Sequence, residues 1–207
     1  MIGKPNAPAA ERNAAAILDV LRIEMAGVHS VLEIGSGTGQ HAVVLGRELP
    51  HLDWQTSDRD ENHAAICEWL RDAGLNNVRE PLSFDVLTAR VEANSYDAVF
   101  SANTAHIMSY PAVEQMFALV ATALRDDGVF CLYGPFREGG EFNTDSNAQF
   151  HRSLLATNPE MGIRHLEDLD QLAEKGGMQR VRRYSMPANN LLVVWQAQTR
   201  SSDDGNS

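Results

Sequence analysis

The sequence predicts an α/β protein: a mostly parallel sheet with helices on both faces, closed at one edge by an antiparallel hairpin. Three observations carry this expectation. Apolar runs of strand character alternate with segments of helical periodicity between residues 30 and 133, the signature of consecutive βαβ units. The first run, Val31-Leu32-Glu33-Ile34, leads straight into the glycine-rich turn Gly35-Ser36-Gly37-Thr38-Gly39. Near the C-terminus, two further apolar runs are separated by Met186-Pro187-Ala188-Asn189-Asn190 alone, a spacer short enough for a hairpin.

Each element follows from its local pattern. Ala14, Ile17, Leu18, Leu21 and Met25 recur at helical spacing and mark an N-terminal amphipathic helix. A strand over 30–34 is followed by a helix over 39–48, with Val43, Val44 and Leu45 on its apolar side. A second strand over 53–57 precedes a helix over 62–72, for which Asp60 is the expected cap. The third strand ends at Phe84 and the fourth covers 96–102. The next helix is placed from Pro111, a favoured first helical residue, with Val113, Met116, Phe117, Val120 and Leu124 along one side. Residues 128–133 read as the fifth strand.

There the alternation stops. Residues 135–165 are rich in Gly, Pro, Asn and charge, with a short helix expected over 147–156. That stretch is too long for an ordinary connection and reads as a lid. A helix over 167–175, ended by Gly176-Gly177, leads to closing strands over 178–185 and 191–197. Right-handed crossovers then place ligands above the strand C-termini. The expected organisation is one domain over 1–198, with a polar, disordered tail over 199–207.

Composition narrows the function. Of 207 residues, 43% are hydrophobic and 22% charged, which is ordinary for a globular chain. No apolar run approaches the roughly 20 residues that span a bilayer, and Met1-Ile2-Gly3-Lys4-Pro5-Asn6 lacks the apolar core of a signal peptide. Cys67 and Cys131 stand far apart in apolar contexts and read as core thiols, so a reducing cytoplasm is expected. The net charge of −11 disfavours a nucleic-acid partner. Arg180, Arg182 and Arg183 are read as a solvated strand face, with Arg180 and Arg182 on the same side. The histidines show no metal-ligand spacing, so no metal is expected.

The glycine turn carries the chemistry. Glycines at alternate positions let a ligand approach the backbone, and the helix that follows turns its free N–H groups towards it. A dinucleotide fold asks for G-x-G-x-x-G; here Gln40 fills the last slot and Gly39 comes one residue early. With Glu33 before the turn, the pattern E-x-G-x-G-x-G resembles motif I of class I S-adenosylmethionine-dependent methyltransferases. Asp58 stands 19 residues after Gly39 at the end of the second strand, where a carboxylate can take ribose hydroxyls. Asp85 follows the third strand, and the resemblance implies that it reaches the adenine amino group. Each acid alone suits a cap or a loop; three at successive strand ends point to one site.

The likeness extends along the chain. Pro8-Ala9-Ala10-Glu11-Arg12-Asn13, the stretch from Leu32 to His41, Phe100-Ser101-Ala102-Asn103-Thr104-Ala105-His106-Ile107 and Tyr133-Gly134-Pro135-Phe136-Arg137-Glu138-Gly139-Gly140 resemble a methyltransferase family known as domain of unknown function 938, the methyltransferase-like protein 26 type. Asp145-Ser146-Asn147-Ala148-Gln149-Phe150, Gly162-Ile163-Arg164 and Met186-Pro187-Ala188-Asn189-Asn190-Leu191 continue it. The resemblance implies a Rossmann-like class I fold with a seven-stranded sheet, the last strand antiparallel, and S-adenosyl-L-methionine as cofactor, released as S-adenosyl-L-homocysteine. It implies no substrate.

Candidate cofactor-binding residues are therefore Arg12, Glu33, Gly35, Gly37, Gly39, Asp58, Asp85 and Asn103. Asn103 is either a contact to the methionine end or a loop cap, and Arg12 either pairs with the cofactor carboxylate or with Glu11. Candidate catalytic residues are His106 as a base, Tyr133 to orient an acceptor and Arg137 to hold a carboxylate or phosphate. Each has a purely structural alternative. Residues 101–106 lack the Asn/Asp-Pro-Pro-aromatic signature that holds an amine, which points to in-line methyl transfer onto a small molecule. The alternatives are a non-catalytic cofactor-binding partner protein, a protein or RNA methyltransferase, and a nicotinamide-dependent oxidoreductase, which Gln40 disfavours.

Overall fold

The structure is a computed structural model describing residues 5–199. The expected tail beyond Thr199 and the first four residues, on which the leader reading partly rests, lie outside the described residues. β1 (Ser30–Ile34), β2 (Asp53–Asp58), β3 (Val78–Ser83), β4 (Tyr96–Ala102) and β5 (Leu124–Gly134) pair in parallel. β6 (Phe136–Arg137) and β7 (Arg164–His165) form a separate two-stranded parallel ribbon. β8 (Met178–Met186) and β9 (Asn190–Ala197) make the closing hairpin, β9 running antiparallel to both β5 and β8. The main sheet has seven strands in the order β3-β2-β1-β4-β5-β9-β8. This is the Rossmann-like arrangement expected from the sequence.

The helices are α1 (Pro8–Glu24), α2 (Gln40–Glu48), α3 (Asp60–Ala73), α4 (Tyr110–Ala123), α5 (Asp145–Thr157) and α6 (Leu166–Lys175). Strand side chains alternate between two cores. Leu32, Val99, Phe130 and Trp195 join the core that holds Met116 and Phe117 of α4 and Leu169 of α6. Val31, Phe100, Cys131 and Val194 join the other, with Ile17 and Leu21 of α1 and Leu45 of α2. Burial on both faces explains why the central strands read as continuous apolar runs rather than alternating ones. Cys131 is a core thiol as expected, whereas Cys67 is half-buried.

Several local expectations are corrected. Asp60 does not cap α3; the N-cap position is Arg59, and Asp60 and Glu61 sit in the first turn, where their charge favours the helix dipole. Pro111 is the second residue of α4, because Ser109 caps the helix by accepting from Ala112 N–H. Arg180 and Arg182 do not share a face. The β8–β9 register shifts between them, so Arg180 stands opposite Trp195 and Arg182 opposite Val194. A bulge reverses the side-chain alternation beyond it. Arg180 therefore meets Asp170 and Glu138, while Arg182 forks onto Glu24, the last residue of α1, with both bonds at 2.6 Å.

Residues 135–165 are anchored at both ends. The β6–β7 ribbon closes their root, Gly162 N–H donates to the His106 carbonyl at 2.9 Å, and Arg164 donates to the carbonyls of Ala105, Met108 and Glu160. Arg164 thus pins the insertion to the loop between β4 and α4.

Candidate active site

β1 lies between β2 and β4, and the chain leaves these strands on opposite faces of the sheet. Such a switch point opens a crevice above the strand ends. The turn after β1 is held down by its neighbour: Gly35 N–H and Ser36 N–H both donate to the Ser57 carbonyl at 3.0 Å. Gly37 occupies the left-handed region at φ +60°, and a Cβ there would meet no atom within 4 Å. At this position the backbone borders open space. Gly35 and Gly39 also have positive φ; a Cβ on Gly35 would strike Thr104 Cγ2 at 2.6 Å, and one on Gly39 would press on Ile66 at 3.1 Å. Gly39 stands at the N-cap of α2, which has no side-chain cap hydrogen bond.

Asp58 is joined to this turn. Its Oδ2 accepts Gly37 N–H at 2.7 Å, and its Oδ1 accepts Arg59 N–H and Asn62 Nδ2, both at 2.8 Å. Asn62 was not foreseen from the sequence; its position four residues beyond the acid, on the first turn of a helix, is the signal that could have found it. Asp85 is exposed at the neighbouring strand end, where its Oδ1 accepts Leu87 N–H at 2.9 Å. Phe84 N–H donates to the Asp58 carbonyl, which ties the two strand ends together.

Glu33 lies beneath the crevice rather than in it. It is 1% exposed, and its Oε2 accepts Ser36 Oγ at 2.9 Å and Trp54 Nε1 at 3.0 Å. Burial, opposed in part by these two donors, pushes its pKa up to about 7. A carboxyl whose folded pKa is raised contributes stability fully below its unfolded pKa, near 4.5, and loses it as pH rises through 7. Glu33→Gln should therefore gain on the wild type by roughly 2–3 kcal/mol between pH 5 and pH 8. Urea unfolding of both proteins at the two pH values checks this; parallel pH dependence would refute it.

Asn103 follows β4 in the left-handed region at φ +60°, half-buried, with its N–H donating to the Tyr133 carbonyl at 2.9 Å. Asparagine is among the few non-glycine residues that adopt this region readily. Ser101, also unforeseen, locks the site by donating from Oγ to the Ile34 carbonyl at 2.7 Å while meeting Thr104 Oγ1.

His106 is 7% exposed, and burial together with the Arg164 charge lowers its pKa to about 4. Its ring meets Phe150 of α5 edge-on at 5.5 Å. Tyr133 is enclosed, its hydroxyl bonded to Asn190 Nδ2 at 2.9 Å and to Asn13 of α1. Asn13 in turn accepts from His41 Nε2 at 2.6 Å, and burial keeps that imidazole neutral down to about pH 4. The Tyr133 hydroxyl, expected to orient an acceptor, is thus committed to joining α1, β5 and β9. Arg137 lies on the insertion side of the site, and Arg12 on the exposed side of α1, with no ion pair among the described residues. Gly35, Gly37 and Gly39 follow β1, Asp58 ends β2 and Asn103 follows β4, three strands that are neighbours in the sheet, and Asp85 follows β3 beside β2. Among the described residues, no cluster of His, Cys, Asp or Glu is arranged to hold a metal, and no helix is long and apolar enough to cross a membrane.

Solved structures share this fold. The mitomycin 7-O-methyltransferase MmcR superimposes with a TM-score of 0.79 at 17% identity, over 91% of this chain and 54% of its own. An O-methyltransferase family 2 protein from Planctomyces limnophilus, in complex with apigenin, gives 0.80 at 16% identity, over 91% and 57%. NcsB1, an O-methyltransferase from neocarzinostatin biosynthesis in complex with S-adenosylmethionine and 2-hydroxy-5-methyl naphthoic acid, gives 0.75 at 16%, over 91% and 54%. The chain spans little more than half the length of these proteins. The likeness is one of fold, and the fold is that of S-adenosylmethionine-dependent methyltransferases. Within it, residues 4–197 match the family described as protein of unknown function, DUF938, and the chain belongs to that family.

Proposed function

We propose that the chain transfers a methyl group from S-adenosyl-L-methionine to a small-molecule acceptor in the cytoplasm, as one catalytic domain over residues 1–198. The observation that supports this best is the hydrogen bond between an open Gly37 and the Asp58 carboxylate at the end of β1, with the left-handed Asn103 following the adjacent β4. These residues suit an adenosyl cofactor. Asp58 has acceptor capacity left for ribose hydroxyls, Gly37 leaves room beside it, and Asp85 lies at the strand end nearest the adenine side. Glu33 holds the turn from below through Ser36. When bound, the cofactor supplies an electrophilic methyl group on a sulfonium.

The chain's own contribution is alignment and exclusion of water. The insertion covers the β4 side, pinned by Arg164 and Gly162 to the loop that carries His106. His106 is neutral across the physiological range and offers its imidazole to an acceptor proton, although its low pKa makes it a weak base. Tyr133 positions α1 against β5 and β9, and Arg137 holds an anionic group of the acceptor.

The test is twofold. S-adenosylhomocysteine should raise the melting temperature where NAD does not, and labelled S-adenosylmethionine should pass its methyl group to a metabolite fraction. His106→Ala should slow that transfer about 10- to 100-fold with S-adenosylhomocysteine affinity unchanged. Binding without any methyl transfer would leave a non-catalytic cofactor-binding protein instead.

A further inference from the structure

Between the insertion and the start of α4 lies a cavity of about 420 Å³, lined by Arg137, Arg164 and His151 together with apolar groups such as Leu155, Pro159 and Met161. Two arginines line it, and among the described residues neither is paired with a carboxylate. Arg164 is spent on the carbonyls of Ala105, Met108 and Glu160. Arg137 is different: among the described residues no hydrogen bond or ion pair takes its side chain, its Nε is enclosed without an acceptor, and its guanidinium rests on the Phe142 ring, 5.3 Å from the centroid. An unpaired guanidinium at a cavity wall is a ready partner for an anion, which would take its terminal nitrogens, since Nε is enclosed by the protein.

We infer that this cavity seats the carboxylate of a small organic acid against Arg137 and His151, and that such an acid is the class of methyl acceptor. The second half rests on the methyltransferase reading above. His151 Nδ1 accepts Ile163 N–H at 3.1 Å, so the proton of the neutral ring is on Nε2 and is available to donate. Burial lowers the His151 pKa, and the charges of Arg137 and Arg164 lower it further. Glu160 and Asp168 also line the cavity. Their charge opposes a dianion and leaves a monoanion favoured, hence a carboxylate rather than a phosphate. The apolar wall suits an aromatic or aliphatic body. The cavity backs onto the loop carrying His106, whose carbonyl accepts Gly162 N–H and whose ring touches Phe150.

The test measures binding of benzoate, phenylacetate and hexanoate to the full chain by calorimetry and thermal unfolding, each against its primary amide. The expected result is that at least one acid binds and its amide does not. Arg137→Met should weaken that acid at least tenfold, Arg137→Lys less so, and S-adenosylhomocysteine affinity should stay unchanged in both. Acids and amides binding alike, or no acid binding, would overturn the inference; so would inorganic phosphate binding more tightly than every acid. If Arg137→Met does not fold, Arg137→Lys and the acid–amide contrast in the wild type decide. Arg137-dependent acid binding without any S-adenosylhomocysteine binding would keep the anion site and discard the methyltransferase reading. The reverse pattern would keep that reading and discard the site.

Discussion

Replacing Asp58 by alanine is expected to weaken S-adenosylhomocysteine binding by roughly 10- to 150-fold, the loss of about 1.5–3 kcal/mol of charge-assisted hydrogen bonding. The carboxylate does two things at once. Its Oδ2 fixes Gly37 N–H and so the shape of the open part of the turn, and on the proposed function its remaining acceptor capacity takes the ribose hydroxyls. Alanine removes both, and leaves Gly37, Arg59 and Asn62 without their shared acceptor. Asp58→Asn separates charge from shape but presents an NH2 group where donors already point, so it should be nearly as damaging. Asn62→Ala, which removes one donor and keeps the acid, should change affinity less than threefold. Calorimetric titration at fixed ionic strength reads all three. An Asp58→Ala protein that binds as tightly as the wild type would remove this carboxylate from the site.

How far the sequence foretold this arrangement depends on whether each feature is local. The strands and the glycine turn were readable because burial on both faces writes continuous apolar runs, and because left-handed turns need glycine. Glu33 looked like a ligand group from its place before the turn. Its real partner, Trp54, comes 21 residues later on a different strand, and nothing local announces the pairing. Ser101 and Asn13 were missed for the same reason: their partners, Ile34 and His41, lie 67 and 28 residues away. The bulge that sends Arg180 and Arg182 to opposite faces arises from register against β9, which periodicity along one strand cannot reveal. The insertion was foreseen as a segment, but its anchoring was not. Arg164 reaches carbonyls 56 and 59 residues distant, and backbone acceptors carry no residue-type signal.

The glycine turn allows stability and ligand binding to be pulled apart. Gly35→Ala should destabilise the fold by about 2–5 kcal/mol. Roughly 1–2 kcal/mol comes from forcing a side chain to φ +77°, and about 1–3 kcal/mol from overpacking. The new Cβ would stand 2.6 Å from Thr104 Cγ2, and Thr104 cannot easily yield. Its Oγ1 meets Ser101 Oγ at 2.7 Å and its carbonyl accepts Ile107 and Met108 N–H. For a chain of this length the melting temperature should fall by about 5–20 °C. Adding Thr104→Ser removes the obstructing methyl while keeping the hydroxyl, so it should restore the packing part and leave the backbone part. Gly37→Ala has a similar φ of +60° but meets nothing, so only the backbone cost of about 1–2 kcal/mol applies to it. Its methyl group would instead enter the open space beside Asp58, and S-adenosylhomocysteine binding should suffer more than stability. Were the two alanine variants to lose stability equally, or were Gly37→Ala to bind like the wild type, the division of labour within the turn would be wrong: a glycine kept for packing, a glycine kept for the ligand.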